Sequence, residues 1–302
     1  MRSQDFFRLY EQGYRDFKGI DLSGADLSSR ILVDVNLANA NLSGANFGRT
    51  FLTKATFTNA NLSRANLKFA KISASNFTDA LLTKANLQGA FSASANFTRA
   101  SLTGGQISHA NLRSAKLIDA NLSGANLTGA NLRNAELTKA NFTWANLTEV
   151  RMVGSAIALA HFSGANLEGA HLNGLNFSRM RLDGISFKFA KLKGAIFKQA
   201  DLTSANFEGA SLQNSNFSDA QLAGAVLARA DLHNACFAGA DLKRVDLKGI
   251  DWTNTNLAHT YPTERSPNQE PTASTANFFA AIHHYQNLSA SAYSLRAPYG
   301  HT

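Results

Sequence analysis

One cysteine, Cys236, stands in 302 residues. No disulfide can form within the chain, which suits a reducing compartment, and the cytoplasm is the expected location. Proline is as scarce, with all four at or beyond Pro262. The preceding 261 residues therefore carry no fixed kink or missing backbone donor. No apolar run approaches the roughly 18–20 residues that a membrane-spanning helix needs. The opening MRSQDFFRLYEQGYRD mixes charge into its apolar residues, so no signal-peptide core is expected. Acidic residues are in deficit, 21 against 29 Lys and Arg, for a net charge of +8. Such a balance permits contact with anionic polymers or membrane surfaces and argues against an acidic surface.

What the chain has in excess is Ala, Asn and Leu, a bias that points to an internal repeat. Every fifth residue from Phe17 to Leu257 is Leu, Phe, Ile, Met or Trp, except Ser92. Of these 49 central positions, 33 have Ala two residues before them, and the residue between is mostly Asn or Asp. The phase does not slip, and no loop interrupts it. This period fits neither a helix, with spacings of 3, 4 and 7, nor a long strand alternating by two. Apolar residues two apart share one side of an extended segment. The remaining Asn, Asp, Gly and Ser are turn formers. Short extended pieces joined by turns coil into a solenoid, where Ala leaves room for the larger central side chain.

The coil length is also readable. Sorting central positions by every fourth repeat puts 8 of the 13 central phenylalanines in the class of Phe17, Phe57 and Phe77, and none in the class of Leu32, Leu52 and Ile72. The period is then 20 residues, four pentapeptides per coil, with four walls. Phe177, Phe197, Phe217 and Phe237 are expected to stack as one core column. The run Ala-Asn-Leu-Ser-Gly-Ala-Asn-Leu-Thr-Gly-Ala-Asn-Leu at 120–132 resembles the A(D/N)LXX signature of the pentapeptide-repeat family. The opening Arg15-Asp16-Phe17-Lys18-Gly19 looks like its cyanobacterial members. The resemblance implies an all-β fold, a right-handed quadrilateral β-helix shaped as a single rod of about 12 coils at about 4.8 Å each.

Four segments are expected: an N-terminal helical cap (1–14), the repeat β-helix (15–257), a linker (258–274), and a C-terminal helical segment and tail (275–302). Solenoid ends expose core and need covering. Ser3 reads as the N-cap of a short helix carrying Phe6, Leu9 and Tyr10 and ending at Gly13. Phe278, Phe279, Ile282 and Tyr285 form the apolar face of a second helix, read either as a cap or as a docking or dimerisation helix. Ser92 is expected to distort its coil. The coils around Val150–Ser155 and Leu175–Ile185 lack the small Ala and are expected to be wider or re-angled.

Catalytic chemistry finds little support. His161 and His171 fall on opposite walls, Cys236 lacks a neighbouring histidine pair, and no Gly-rich phosphate loop opens a helix. No catalytic residue, metal or cofactor is expected. Charge is more informative. The wall centred on Leu32, Leu52, Leu112 and Leu132 holds Arg30, Lys54, Lys71, Arg113, Arg133, Arg151, Lys191 and Lys193 against Asp34, Asp231 and Asp251. Arg113, Arg133, Arg151, Lys191 and Lys193 are its candidate basic face, read as a solubilising surface or as an anion-binding stripe. No aromatic residues are expected to interleave with these cations in the way that single-strand binders need. The leading reading is a non-enzymatic scaffold that binds a protein through flat faces, with self-association through an end of the rod as an option. The alternative is weak binding of nucleic acid or another anionic polymer. A third reading, modulation of DNA gyrase by DNA mimicry, follows from the family resemblance and conflicts with the positive charge.

Overall fold

The computed structural model describes residues 1–252 and 254–260. The chain divides into two compact units, Met1–Leu175 and Asn176–Thr302, described separately. Their boundary falls within the stretch where larger residues replace Ala before the central position. The sequence-predicted C-terminal helix and most of the linker lie outside the described residues.

In both units the repeat closes on itself after 20 residues. Parallel backbone bridges join Asp16 to Asn36 and Asn36 to Thr56 in the first unit, and Asn176 to Ile196 and Ile196 to Asn216 in the second. Each pentapeptide contributes one bridged residue, so the ladder has single-residue rungs instead of strands several residues long. The five-residue period leaves no room for more, because four residues make the turn.

Every backbone donor of a repeat has a place, as the Leu37 repeat illustrates. Asn36 N–H donates to the Arg15 carbonyl at 2.7 Å, Leu37 N–H to Thr56 at 2.7 Å, and Asn39 N–H to Thr58 at 2.9 Å. These three bonds tie the coil to its neighbours. Ala40 N–H closes the turn onto the Leu37 carbonyl at 3.2 Å. The fifth, Ala38 N–H, donates to the Asn36 side-chain oxygen at 3.1 Å. That bond explains why Asn or Asp mostly precedes the central residue: its acceptor satisfies the one donor that the coils do not reach. The same bond joins Thr203 to Asp201 in the second unit, at 3.1 Å.

The second residue after each central position sits at φ near +60°, as in Asn39 (+59°) and Asn214 (+58°). This is the sign that a type II turn demands at its third residue. Even Phe69 (+59°) and Trp144 (+58°) adopt it. Left-handed backbone is costly for a bulky residue, and the hydrogen bonds of that same residue to the next coil offset the cost.

The interior is filled by inward-facing side chains. The central residues and the Ala residues two before them are almost all buried. Where Ser or Thr replaces Ala, the hydroxyl bonds inward: Thr50 Oγ1 donates to the Leu27 carbonyl at 2.8 Å, Ser75 Oγ to Leu52 at 2.6 Å, and Ser155 Oγ to Leu132 at 2.6 Å. Ser92 differs. Its coil is not distorted, with Ser92 N–H donating to Asn111 at 2.8 Å and Phe91 bridged to Asn111. Backbone pairing overrides the lost side chain, and the consequence is confined to Ser92 Oγ, buried without a hydrogen-bond partner among the described residues.

In the second unit two aromatic columns interlock. Phe177, Phe197, Phe217 and Phe237 stack with centroids 5.0, 4.8 and 4.7 Å apart and planes within 8°. Phe187 and Phe207 stack at 4.9 Å on the opposite wall. The two columns meet edge to face, as with Phe197 and Phe207 at 5.7 Å.

Helix α1 (Ser3–Glu11) lies at the start of the first unit. Arg2, not Ser3, occupies the N-cap, and no side chain caps the helix there; Ser3 is already helical, so its hydroxyl cannot take the capping position. At the other end Tyr14 N–H donates to Leu9 and Gly13 N–H to Tyr10, with Gly13 at φ +98°. This is a Schellman stop, which requires the positive φ that glycine supplies. Phe6 is fully buried, its ring 4.6 Å from Phe17. The Tyr10 hydroxyl donates to the Val33 carbonyl at 2.9 Å. The helix thus covers the apolar end of the first coils.

Candidate functional site

Three side chains of each pentapeptide face outward: the one before the central residue and the two after it. Successive coils stack these positions into columns about 4.8 Å per step. The surface is therefore a set of flat, laddered walls. Many polar side chains on them are held within the ladder. Asn66 Nδ2 donates to Asn46 Oδ1 at 2.8 Å, and Asn46 Nδ2 to Asp26 Oδ1 at 2.9 Å. Hydrogen bonds from Ser28 hold the Asp26 carboxyl below its ordinary pKa.

Among the described residues, no three His, Cys, Asp or Glu are placed to hold a metal ion. Half-buried Cys236 has Sγ 3.4 Å from Ser218 Oγ. His161 bridges to Asn141 and His171 to Arg151, in different columns.

The predicted basic residues divide between the units. Arg113, Arg133 and Arg151 belong to the first unit; Lys191 and Lys193 belong to the second, flanking Leu192. All five are exposed. Arg113 and Arg133 occupy the same column one coil apart, and Arg151 is bridged to Asn131 beside Arg133. Among the described residues none of these three arginines has an ion-pair partner. Charges elsewhere meet between coils: Arg99 binds Asp79 through two bonds of 2.7 and 2.6 Å, and Lys188 meets Glu208 at 2.9 Å. The Arg99 guanidinium holds the Asp79 carboxyl below its ordinary pKa.

The same wall carries large apolar residues beside Lys71, before the rungs of Arg113, Arg133 and Arg151. Ile31, Phe51, Lys71 and Phe91 are successive rungs of one column, which continues through Asn111 and Asn131 to Arg151. Ile31 is 68% exposed, Phe51 46% and Phe91 44%, and Lys71 Nζ lies 3.3 Å over the Phe91 ring. Reading every twentieth residue at the position before the central one would have found this stripe; grouping only charges by wall passes over it.

Other exposed aromatics have a structural use. The rings of Phe69, Trp144 and Phe189 lie over Gly89, Gly164 and Gly209 of the following coil, where an added Cβ would come within 2.7 Å of the ring. Phe51 and Phe91 have no such glycine beneath them.

The pentapeptide-repeats family model matches residues 20–152 and 160–261. A search of the curated proteins finds no match. Among solved structures, HetL, a pentapeptide repeat protein involved in heterocyst differentiation regulation in the cyanobacterium Nostoc sp. strain PCC 7120, is 27% identical; the alignment covers 86% of this chain and 96% of HetL, at a TM-score of 0.31. QnrB1, a plasmid-mediated fluoroquinolone resistance protein, is 14% identical over 82% of this chain and 90% of its own, at 0.38. Rfr23, a pentapeptide repeat protein from the cyanobacterium Cyanothece 51142, is 23% identical over 54% and 92%, at 0.18.

Proposed function

The chain belongs to the pentapeptide-repeat family, whose right-handed quadrilateral β-helix is a scaffold type, and we propose that this member is a non-enzymatic scaffold that binds a protein partner through a flat wall. The observation that carries this reading is the exposed column of Ile31, Phe51 and Phe91 in the first unit. Large apolar side chains grouped on a surface mark interaction sites. Enzymes favour concave sites with a few convergent polar groups, whereas the polar groups of this fold are largely committed to turns and ladders. Among the described residues no helix is long and apolar enough to cross a membrane. Cytoplasmic action and a homodimer formed through an end of the β-helical rod belong to the same proposal.

Affinity purification of the full chain from its source organism, with quantitative mass spectrometry, tests it. A saturable, stoichiometric protein partner is the expected result. Recovery of nucleic acid without protein at physiological salt would contradict it.

The second reading, binding of an anionic polymer, is favoured by Arg113, Arg133 and Arg151. Duplex DNA carries a charge about every 1.7 Å of axis, against which these cations are sparse. A salt titration with wild type and the Arg113/Arg133/Arg151→Ala variant decides: weak binding that vanishes near physiological salt is expected, and tight binding that collapses in the variant would favour a nucleic-acid-binding protein. DNA mimicry toward gyrase is the third reading. A mimic must offer negative charge to a basic surface, and this chain carries +8. No inhibition in a supercoiling assay is expected; inhibition at low micromolar protein would reverse that.

A further inference from the structure

The wall that begins at Ile31 has two chemically different halves, both in the first unit. Its first rungs are apolar, with Ile31, Phe51 and Phe91 exposed around Lys71. Its later rungs are basic, with Arg113, Arg133 and Arg151 exposed. Arg113 and Arg133 are like charges in neighbouring rungs, an arrangement that is unfavourable in the free protein and relieved by an opposing anion. The Arg99–Asp79 and Lys188–Glu208 pairs show that this ladder can juxtapose opposite charges across coils. The wall thus pairs an exposed apolar strip with positive charge that has no ion-pair partner among the described residues.

The spacing selects the shape of what fits. Side chains along this wall repeat about every 4.8 Å. An α-helix laid along it repeats its surface every turn, about 5.4 Å, so it drifts only about 0.6 Å per rung and its side chains can follow the rungs by small adjustments. An extended strand repeats one face about every 6.6–6.8 Å and loses register within a few rungs. From Ile31 to Arg151 there are six steps, about 29 Å, the length of roughly 19 helical residues. Nucleic acid fits less well. One face of the Phe91 ring is already covered by Lys71, and aromatic and cationic side chains here are mostly segregated, whereas single-strand sites combine stacking rings with a charged groove along the same path.

We propose that this wall docks an acidic amphipathic helix of a protein partner, about 19 residues long. Its apolar side chains cover Ile31, Phe51 and Phe91, and its carboxylates face Arg113, Arg133 and Arg151. The proposal rests on the scaffold reading and names the partner's chemistry.

The test uses the full chain and a fluorescently labelled 20-residue helical peptide, with leucines at i, i+3, i+4 and i+7 along one half and glutamates along the other. A scrambled peptide of equal composition, a charge-reversed peptide with lysine for glutamate, and a 20-nucleotide single strand serve as comparison probes in anisotropy titrations. Expected is saturable binding of the first peptide, at least tenfold tighter than the scrambled or charge-reversed peptides. Phe51→Ser/Phe91→Ser and Arg113→Glu/Arg133→Glu should each weaken it at least tenfold without moving the thermal midpoint by more than a few degrees. If either variant unfolds, the single Phe91→Ser and Arg133→Gln changes replace it. Equal binding of the scrambled peptide, indifference to both variants, or tighter binding of the oligonucleotide would overturn the proposal. A photo-crosslinker placed at Phe91 or at Leu81, exposed on another wall, separates this failure from that of the scaffold reading in lysate. Crosslinks at Leu81 alone would reject this wall and keep the scaffold; none at either position would count against both.

Discussion

Both units stack phenylalanines in their cores, Phe57, Phe77 and Phe97 in the first and Phe177, Phe197, Phe217 and Phe237 in the second, and they differ in what surrounds those stacks. In the first, Phe51 and Phe91 stand on the surface, and Phe69 and Trp144 lie against it over glycines. Long stretches of its core are walled by leucine, as at Leu112, Leu117, Leu122, Leu127 and Leu132. In the second, Phe177, Phe187, Phe197, Phe207 and Phe217 interlock across the interior. The backbone hardly registers the difference. Bonds from central residues to the next coil are 2.7 Å at both Leu37 and Phe197. The hydrogen-bonded frame is thus generic, and what distinguishes the units is how side chains fill it and what they leave outside. The proposed recognition surface lies on the first unit, while the edge-to-face interlock of two phenylalanine columns runs furthest in the second.

The sharpest way to break this contrast is to empty both cores. Phe217→Ala should cost about 3–5 kcal/mol, since the ring is fully buried and stacked on Phe197 and Phe237. Leu122→Ala, buried but outside the ring stacks, should lie nearer the lower end of the large-to-small range, about 2–3 kcal/mol. Chemical denaturation monitored by circular dichroism reads both. A leucine loss as large as the phenylalanine loss would show that ring interlock adds nothing.

A smaller effect tests the shared frame. Asn61→Ala and Asp201→Ala each remove the acceptor for a backbone donor two residues on, at Ser63 and Thr203. Each should cost about 1 kcal/mol. Similar losses in the two units would support a common frame; a cost confined to one would show that the units solve their turns differently.

Ser92 and Ser155 sharpen the comparison inside the first unit. Ser155→Ala deletes a hydrogen bond to the Leu132 carbonyl and should lose roughly 1 kcal/mol. Ser92→Ala deletes an orphaned hydroxyl and should be neutral or gain up to about 1 kcal/mol. Losses of the same sign at both would contradict the assignment of these hydroxyls.

The smallest effect is electrostatic. The folded-state pKa of Asp79 is depressed by Arg99. Its contribution is therefore present above the unfolded aspartate pKa and is lost as pH falls through the lower, folded value. Asp79→Asn should flatten the acid limb of the stability curve slightly, because the pair is exposed and screened. A steeper acid limb in the variant would have the wrong sign.

The period of five, the Ala and Leu interior and the 20-residue coil are legible in the sequence because each leaves a strict positional signature. The second aromatic column is less so: Phe187 and Phe207 lie in a class otherwise rich in leucine, and only the coil geometry sets them against Phe177 and Phe197. The positive φ of Phe69 and Trp144 runs against local propensity, and inter-coil hydrogen bonds override it. Ser3 has the chemistry of an N-cap, but the helix begins one residue earlier than that role requires. On the surface, the arginines were readable as charge. Their continuity with Ile31, Phe51 and Phe91 depends on which columns the coil brings side by side. The apolar residues near the C-terminus, Phe278 to Tyr285, lie outside the described residues.

The division between a recognition surface and a stabilising interior is tested most directly by one paired experiment on the full chain. Phe91→Ser and Phe217→Ala are each measured for denaturation midpoint and for recovery of the protein partner under conditions where both remain folded. Phe91→Ser should hold stability within about 0.5 kcal/mol, as exposed positions generally do, and lose the partner. Phe217→Ala should lose stability and keep the partner. Retained partner in Phe91→Ser, or equal destabilisation by the two substitutions, would contradict the account.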